Sequence, residues 1–292
     1  MTRALLVHNA DAGTDPVPRQ AIEAVLADAG FETVYCDHGD EDLDAALAGS
    51  FDLVIAAGGD GTVADVVSSL ERVEVPIAIL PLGGSNNIAN ALGVEGDWRT
   101  LPCRWSVQRW TWLDRCEADG PWGRKRFVEA LGSGVLTDAV DEAEEDPDTP
   151  EEKQRNGRAA FRKALAEAVP FDCTVETADW SWQGECLMIE VMNMTFAGSR
   201  LALAAQATPD DGLLDIVIAQ VADRGPLLDW AQAPDERQCP LATRKAANLR
   251  LSVFERPFRV DDRSPNEHLT GTVDIRVRSS QVKILTIEEG EP

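Results

Sequence analysis

The chain of 292 residues is poor in cationic and metal-binding side chains. It has 27 lysines and arginines against 51 aspartates and glutamates, a formal net charge of −24, and only three histidines. A charge this negative repels polyanions, so the sequence predicts that the protein does not bind nucleic acid. The histidines and the six cysteines are scattered without CxxC spacing, a pattern that indicates neither a zinc site nor a disulfide framework.

Long apolar runs are also missing. No stretch approaches the roughly 18 apolar residues that a membrane-spanning helix needs. The apolar run Ala4–Val7 is too short for the core of a signal peptide before Asp11 interrupts it. We therefore expect a cytoplasmic protein. An apolar content of 44% and a charged content of 27% are typical of a globular chain, and the length favours two domains.

The first hundred residues alternate short apolar runs with amphipathic segments, which is typical of a parallel sheet with crossover helices. The predicted strands are Ala4–Val7, Thr33–Cys36, Leu53–Ala57 and Ile77–Leu80, and the predicted helices are Pro18–Ala29, Glu41–Ala48 and Val63–Leu70. After about Arg104 the alternation has the period of strands, for example at Arg109–Glu117 and Arg126–Leu131, with one helical segment at Ala159–Val169. The sequence predicts an α/β domain over residues 1–107 and a mainly β domain over residues 108–280.

Three glycines follow the third predicted strand, in the order Gly58-Gly59-Asp60-Gly61-Thr62. Glycine lets main-chain amides approach a phosphate closely, and the helix that begins next adds a favourable dipole. The carboxyl end of a strand is also where open α/β sheets bind ligands. The pattern is neither a Walker A motif nor GxGxxG. The alternative needs no ligand: the segment is a tight strand-to-helix turn in which Asp60 or Thr62 caps the helix.

This turn resembles the nucleotide-binding signature GGDGT of the diacylglycerol kinase, sphingosine kinase and ceramide kinase superfamily. Three further segments are similar to motifs of that family: Leu80–Ala89 resembles LPLGTxNxxA, Phe127–Gly134 resembles a strand ending in GxG, and Thr208–Asp215 resembles its DGxLDV element. The resemblance covers the chain from about Ala4 to Ile287. It implies an NAD-kinase-like α/β domain, a β-sandwich domain, and a C-terminal segment, residues 281–292, that packs back on the first domain.

The resemblance also implies an ATP-dependent kinase that uses Mg²⁺ to phosphorylate the hydroxyl of diacylglycerol, ceramide or another sphingoid lipid. The residues that match the nucleotide-binding turns are Gly58, Gly59, Asp60, Gly61, Thr62, Gly83, Gly84, Ser85 and Asn86. Gly84 stands where the family has Thr, and Ser85 is the neighbouring hydroxyl. Asp60 would act in catalysis through Mg²⁺.

A second metal site is implied in the DGxLDV element. Asp211 and the main chain at Thr208 and Leu213 match the positions that hold this metal in the family. A charged hairpin turn at Asp210–Gly212, without a metal, is the alternative.

The family's general base is the Asp of a DGE motif, and Asp261 holds that position in Val260-Asp261-Asp262-Arg263. Asp replaces the family's Gly, and Arg replaces its Glu. Three interpretations stay open: Asp261 is the base in a modified loop, Asp262 is the base, or the chain binds nucleotide or lipid without catalysis. NAD kinase, which shares the GGDG turn, is a rival, although the segment at Leu80–Ala89 matches the lipid-kinase form better.

Aromatic residues are concentrated near the predicted domain junction. Five tryptophans lie close to the basic segment Arg124–Arg126: Trp98, Trp105, Trp110, Trp112 and Trp122. Packing of strands and a basic hairpin turn account for them, and contact with a membrane surface is the alternative. A kinase that acts on lipid is expected to make transient, peripheral contact with the inner membrane.

Overall fold

The structure is a computed structural model, and it describes residues 1–39, 42–141, 149–263 and 271–287. Within these ranges no helix is long and apolar enough to cross a bilayer. The chain divides into two compact units. The first contains Met1–Leu113 and the last strand of the chain, and the second contains nearly all the described residues from Asp114 to Ser279.

The first unit is built on a sheet whose first four strands are parallel. These strands are β1 (Thr2–His8), β2 (Phe31–Asp37), β3 (Leu53–Gly58) and β4 (Ile77–Pro81), in the order β2-β1-β3-β4. The helices of this unit are α1 (Arg19–Asp28), α2 (Leu43–Leu47), α3 (Asp60–Ser69) and α4 (Asn87–Ala91). Most residues of β1, β3 and β4 are buried, as expected for parallel strands covered on both faces. The predicted α/β domain with a parallel sheet is confirmed.

Two further strands complete the first sheet. They are β5 (Trp105–Leu113) at its edge and β17 (Val282–Ile287), which lies between β4 and β5. β17 runs parallel to β4 and antiparallel to β5. Its side chains Val282, Ile284 and Leu285 are buried, so the C-terminal segment contributes an internal strand. Residues 288–292 of the segment expected to pack back lie outside the described residues.

The second unit contains eleven described strands in two antiparallel sheets. The strands are β6 (Cys116–Gly120), β7 (Gly123–Phe127), β8 (Ala130–Gly134), β9 (Phe171–Thr177), β10 (Ser181–Cys186), β11 (Met188–Met192), β12 (Leu214–Ala219), β13 (Thr243–Ala246), β14 (Asn248–Val253), β15 (Phe258–Val260) and β16 (Gly271–Val277). One sheet has the order β10-β9-β14-β16-β6-β7, and the other has the order β13-β12-β11-β8-β15. Buried apolar side chains of both sheets, such as Val191, Ile216, Leu251 and Val273, form one core cluster. The predicted β sandwich is confirmed.

Two segments that the sequence predicts to be β-rich are each divided between two strands in the structure. The segment Arg109–Glu117 is divided between β5 in the first unit and β6 in the second. The segment Arg126–Leu131 is divided between β7 and β8, because Val128 and Glu129 belong to neither strand. The alternation of apolar residues is interrupted at both breaks, by Leu113-Asp114 and by Phe127-Val128, so the pattern does contain a signal for them.

Helices cover the other face of the five-stranded sheet in the second unit. They are α5 (Val135–Asp141), α6 (Pro150–Glu167) and α7 (Arg224–Trp230), and Phe161, Leu165 and Trp230 pack with sheet residues in one cluster. The helix predicted at Ala159–Val169 therefore begins earlier, at Pro150. Arg224 donates hydrogen bonds to the carbonyl oxygens of Leu165, Ala166 and Ala168. These bonds satisfy carbonyl groups that the end of α6 leaves without helical partners.

The internal position of β17 makes a prediction about stability. Ile284 is fully buried, so Ile284→Ala is expected to lower the free energy of unfolding by about 2–5 kcal/mol. Thr286→Ala, on the same strand but only partly buried, is the matched control and should change it by less than about 0.5 kcal/mol. Urea titration measures both values. Equal losses in the two variants would contradict the burial of this strand in the sheet.

Candidate active site

Three loops that contain glycine meet at the carboxyl edge of the parallel sheet in the first unit. They follow β1, β3 and β4. A Cβ atom on Gly83 would lie 2.6 Å from Cα of Gly59, and one on Gly13 would collide with the carbonyl oxygen of Leu82. Main chains can approach each other this closely only where glycine leaves out the Cβ atom. The loops therefore present a surface made mainly of backbone at the end of the strands, where α/β sheets bind ligands.

One side chain closes the third loop on itself, and another connects the second loop to the third. Asn86, at φ +48°, accepts a hydrogen bond from the amide of Gly83 at 2.9 Å and donates one to its carbonyl oxygen at 2.7 Å. Asp60, in the first turn of α3, accepts a hydrogen bond from the amide of Ile88 at 2.9 Å, so it connects α3 to α4. The structure thus brings together the two predicted nucleotide-binding segments, Gly58–Thr62 and Gly83–Asn86.

The glycine loop after β3 leads directly into α3. Thr62 is buried beneath Gly58, and a Cβ atom on Gly58 would collide with its side chain. Its hydroxyl oxygen has no hydrogen-bond partner within the described part of the chain. Main-chain amides at the start of a helix and an orphaned buried hydroxyl fit a ligand that carries phosphate oxygens. Asp60 adds the hard oxygen donor that Mg²⁺ prefers when it binds together with substrate phosphates.

In the second unit, the main chain between β7 and β8 binds the carboxylate of Asp261. Oδ1 accepts hydrogen bonds from the amides of Glu129 at 2.8 Å, Val128 at 3.2 Å and Ala130 at 3.3 Å. Oδ2 accepts the Val128 amide at 3.2 Å. Asp261 also donates its own amide to the carbonyl oxygen of Ala130 at 2.8 Å. These bonds hold the side chain in one orientation, and Oδ2 accepts fewer hydrogen bonds than Oδ1.

The surroundings of Asp261 change its acidity. Burial raises the pKa of Asp261 to about 6, and the charge of Asp262 adds to the rise, whereas the amides of Glu129 and Val128 act in the opposite direction. A carboxyl group with this pKa is mostly ionised at neutral pH and still accepts a proton readily. Asp262, the other candidate base, is exposed.

A buried ion pair holds the main chain of Asp261. Glu190 of β11 and Arg259 of β15 both pair with Gly132 on β8, the strand between them. Their side chains are fully buried, and Nη2 of Arg259 lies 2.7 Å from Oε2 of Glu190. A Cβ atom on Gly132 would collide with the Glu190 carboxylate, so glycine lets the two side chains meet across β8. Arg259 also donates a hydrogen bond to the carbonyl oxygen of Asp261.

Sequence reasoning missed this pair. The available signals were an acidic residue inside the apolar segment Leu187–Met192 and a basic residue two positions before Asp261. A charged residue within an apolar strand needs a partner, but nothing in the sequence indicates which residue it pairs with.

The residues predicted to hold a second metal lie in the turn before β12. The amide of Asp211 donates to the carbonyl oxygen of Thr208 at 3.4 Å, and the amide of Leu213 donates to Oδ1 of Asp211 at 2.9 Å. Oδ2 of Asp211 lies 2.7 Å from Nζ of Lys245. In the part of the chain that the structure describes, no group of three or more His, Cys, Asp or Glu side chains could hold a metal ion. The carboxylate that the resemblance assigns to a metal is thus in contact with an ammonium group in this structure.

Comparison with known proteins identifies the family. The model of the diacylglycerol kinase catalytic domain matches residues 3–107, and the model of the YegS C-terminal NAD kinase beta sandwich-like domain matches residues 132–233. A "Probable lipid kinase YegS-like" of Pseudomonas aeruginosa is 30% identical over 224 residues, which cover 73% of this chain and 70% of that protein. The chain belongs to the diacylglycerol-kinase-type lipid kinase superfamily.

Other members support the same assignment of this lipid-kinase chain. A "Diacylglycerol kinase" of Bacillus subtilis is 27% identical over 240 residues, which cover 76% of this chain and 75% of that protein. A crystal structure of a diacylglycerol kinase from Bacillus anthracis has a TM-score of 0.72 at 20% identity and covers 97% of this chain and 96% of its own. This structure shows that the fold is shared.

The glycine between the paired charges gives a second prediction for this lipid-kinase fold. Gly132→Ala is expected to lower the free energy of unfolding by about 3–5 kcal/mol, because the added methyl group separates a buried ion pair. Gly225→Ala on α7, where a Cβ atom would meet open space, is the control and should be neutral or stabilising by about 0.5–1 kcal/mol. Urea unfolding compares the two variants. A loss in Gly132→Ala no larger than in the control would contradict the close approach at β8.

Proposed function

We propose that this protein transfers the γ-phosphate of ATP to the hydroxyl group of a lipid such as diacylglycerol, ceramide or another sphingoid lipid. The observation that carries the proposal is Asp261, a carboxylate that main-chain amides hold in place and whose pKa is raised to about 6. A carboxylate that accepts a hydroxyl proton is the group that phosphoryl transfer to an alcohol requires.

The nucleotide is proposed to bind at the glycine loops of the first unit. The segments Gly58–Thr62 and Gly83–Asn86 would surround the phosphate oxygens, with the start of α3 supplying main-chain amides and its dipole. Asp60 would hold Mg²⁺ together with those phosphates. The ion supplies positive charge that neutralises the transferring group.

Asp261 is proposed to act as the general base. Its Oδ1 is anchored by three amides, so Oδ2 is the oxygen that takes the proton of the lipid hydroxyl. As that O–H bond breaks, the lipid oxygen forms a bond to the γ-phosphorus, and the bond from phosphorus to the β–γ bridging oxygen of ATP breaks to release ADP. Asp261 then returns the proton to water. Arg259, paired with Glu190, keeps the main chain of the base fixed during these steps.

The lipid acceptor implies a protein that works at a membrane surface, and β5 offers side chains suited to it. Trp110 and Trp112 are each 37% exposed, with ring centres 4.7 Å apart. Nζ of Lys283 lies 4.7 Å from the centre of the Trp110 ring. Tryptophan and lysine favour the interface between lipid and water. We therefore propose a cytoplasmic protein in peripheral contact with the inner membrane and without nucleic-acid partners.

An acceptor panel tests the proposed reaction. Purified protein with labelled ATP and Mg²⁺ is offered dispersed diacylglycerol, ceramide, sphingosine and, separately, NAD, and mass spectrometry identifies the product. Transfer to at least one lipid is the expected result. Transfer to NAD alone would favour the NAD kinase rival, and ATP binding without transfer to any acceptor would favour a silent binding protein. Either outcome would overturn the proposal.

The raised pKa of Asp261 predicts the pH dependence. The base must be ionised to accept a proton, so kcat/KM should be constant above about pH 6 and should fall about tenfold per pH unit below it. Asp261→Asn should lower kcat by roughly 10²–10⁴-fold. Asp262→Asn is the matched control in the same loop and should keep most of the activity. The reverse result, with Asp262 essential and Asp261 dispensable, would make Asp262 the base.

The close contact between Gly83 and Gly59 predicts that nucleotide binding is sensitive to a substitution at Gly83. Gly83→Ala should weaken ATP binding by about tenfold or more, roughly 1.4 kcal/mol, because its methyl group would push the loop at Gly59 away. Gly225→Ala, in the second unit, serves as the control and should bind ATP like the wild type. Calorimetric titration with ATP and Mg²⁺ measures both affinities. Unchanged affinity in Gly83→Ala would place the nucleotide elsewhere.

A further inference from the structure

We infer that Lys245 supplies, from within the chain, the positive charge that the family resemblance assigns to a divalent cation at the Asp211 turn. The protein then needs no metal at this place. The inference concerns the second unit alone and is independent of the proposed transfer of phosphate.

The position of Lys245 is set by strand pairing. It lies on β13 directly opposite Asp215 of β12. Its Nζ is 2.7 Å from Oδ2 of Asp211 and 3.5 Å from Oδ2 of Asp215. Asp215 is only 1% exposed, and a buried carboxylate requires a compensating charge or hydrogen bonds. The ammonium group therefore connects two acidic residues, one in the turn and one in the strand that follows it.

Main-chain amides occupy two further carboxylate oxygens at the turn. Oδ1 of Asp211 accepts the amide of Leu213 at 2.9 Å, and Oδ2 of Asp114 accepts the amide of Gly212 at 2.8 Å. The amide of Asp114 in turn donates to the carbonyl oxygen of Pro209 at 2.7 Å. These bonds close the turn without an ion. A divalent cation, which takes six or more oxygen ligands, would have to displace Lys245 to bind here.

The choice of lysine is itself informative. The chain has only five lysines among its 27 basic residues, and one of them stands at this turn. Lysine carries a compact charge with three donors that point in different directions, whereas arginine presents a planar fork. A compact ammonium is the side-chain group that most closely replaces a small cation between two carboxylates.

Thermal unfolding of the full chain without nucleotide or lipid tests the inference. The wild type should have the same Tm in EDTA and in Mg²⁺. Lys245→Met should melt at a lower temperature in EDTA, because Asp211 and Asp215 lose their shared partner and repel each other. Mg²⁺ should restore part of that loss, since the carboxylates are then open to the ion. Lys125→Met, which removes an exposed lysine of β7, is the control and should behave like the wild type.

Three results would overturn the inference. One is a wild-type Tm that rises with Mg²⁺ by an amount that Asp211→Asn abolishes, since a metal would then bind at this carboxylate. Another is a Lys245→Met variant as stable as the wild type. The third is a destabilised variant on which Mg²⁺ has no effect, because Lys245 would then not stand in the place of an ion. If Lys245→Met does not fold, the wild type and Asp211→Asn still decide the question. Because ATP and lipid are absent from the assay, failure of this inference leaves the proposed kinase activity untouched.

Discussion

The second unit is organised around the hydrogen bonds between the carboxylate of Asp261 and the main chain at Val128–Ala130. The amides of Val128 and Glu129 are available because β7 ends at Phe127 and β8 begins at Ala130, so these two intervening residues direct their N–H groups at a side chain instead of a neighbouring strand. A carboxylate that accepts several main-chain amides is strongly oriented. The break in the strand and the position of the acid therefore depend on each other.

Local main-chain contacts set the conformation of the loop that resembles the family's DGE motif. Asp261 has a φ of +49°, and Asp262 is not among the described residues with positive φ. Asp261, the residue that matches the family's base, thus adopts the left-handed backbone conformation, which costs most residues other than glycine about 1–2 kcal/mol. Asp262, where the family has Gly, does not require the freedom of glycine. Arg263 takes part through its main chain, because its amide donates to the carbonyl oxygen of Val260 and its own carbonyl oxygen accepts from the amide of Val260. The turn is therefore built largely by backbone contacts.

The sequence predicts those parts of the molecule that rest on local patterns. The alternation of strands and helices and the glycine turn after β3 are set by neighbouring residues, and an α/β domain and a mainly β domain follow from them. The turn after β4, the motif at Asp261 and the β sandwich were predicted through the resemblance to the family. Lys245 and the pair Glu190–Arg259 were not predicted, because their partners are fixed by strand register across long stretches of chain. Period-two alternation shows which face a residue occupies but not which residue lies opposite. Even the role of Gly132 becomes visible only when β11 and β15 are placed on either side of β8.

The acidic composition places a further constraint on the proposed nucleotide site. The segments Gly58–Thr62 and Gly83–Asn86 contain no lysine or arginine, unlike a Walker A loop, whose lysine reaches the phosphates. In a chain with a net charge of −24, a polyphosphate at these loops would depend on main-chain amides, the start of α3 and a cation held with Asp60. Main-chain donors act only when the loops keep their spacing, and that spacing is set by Gly59 against Gly83 and by the bonds of Asn86 and Asp60. At the proposed nucleotide site, main-chain donors held at fixed positions would thus replace the basic side chains of other phosphate sites.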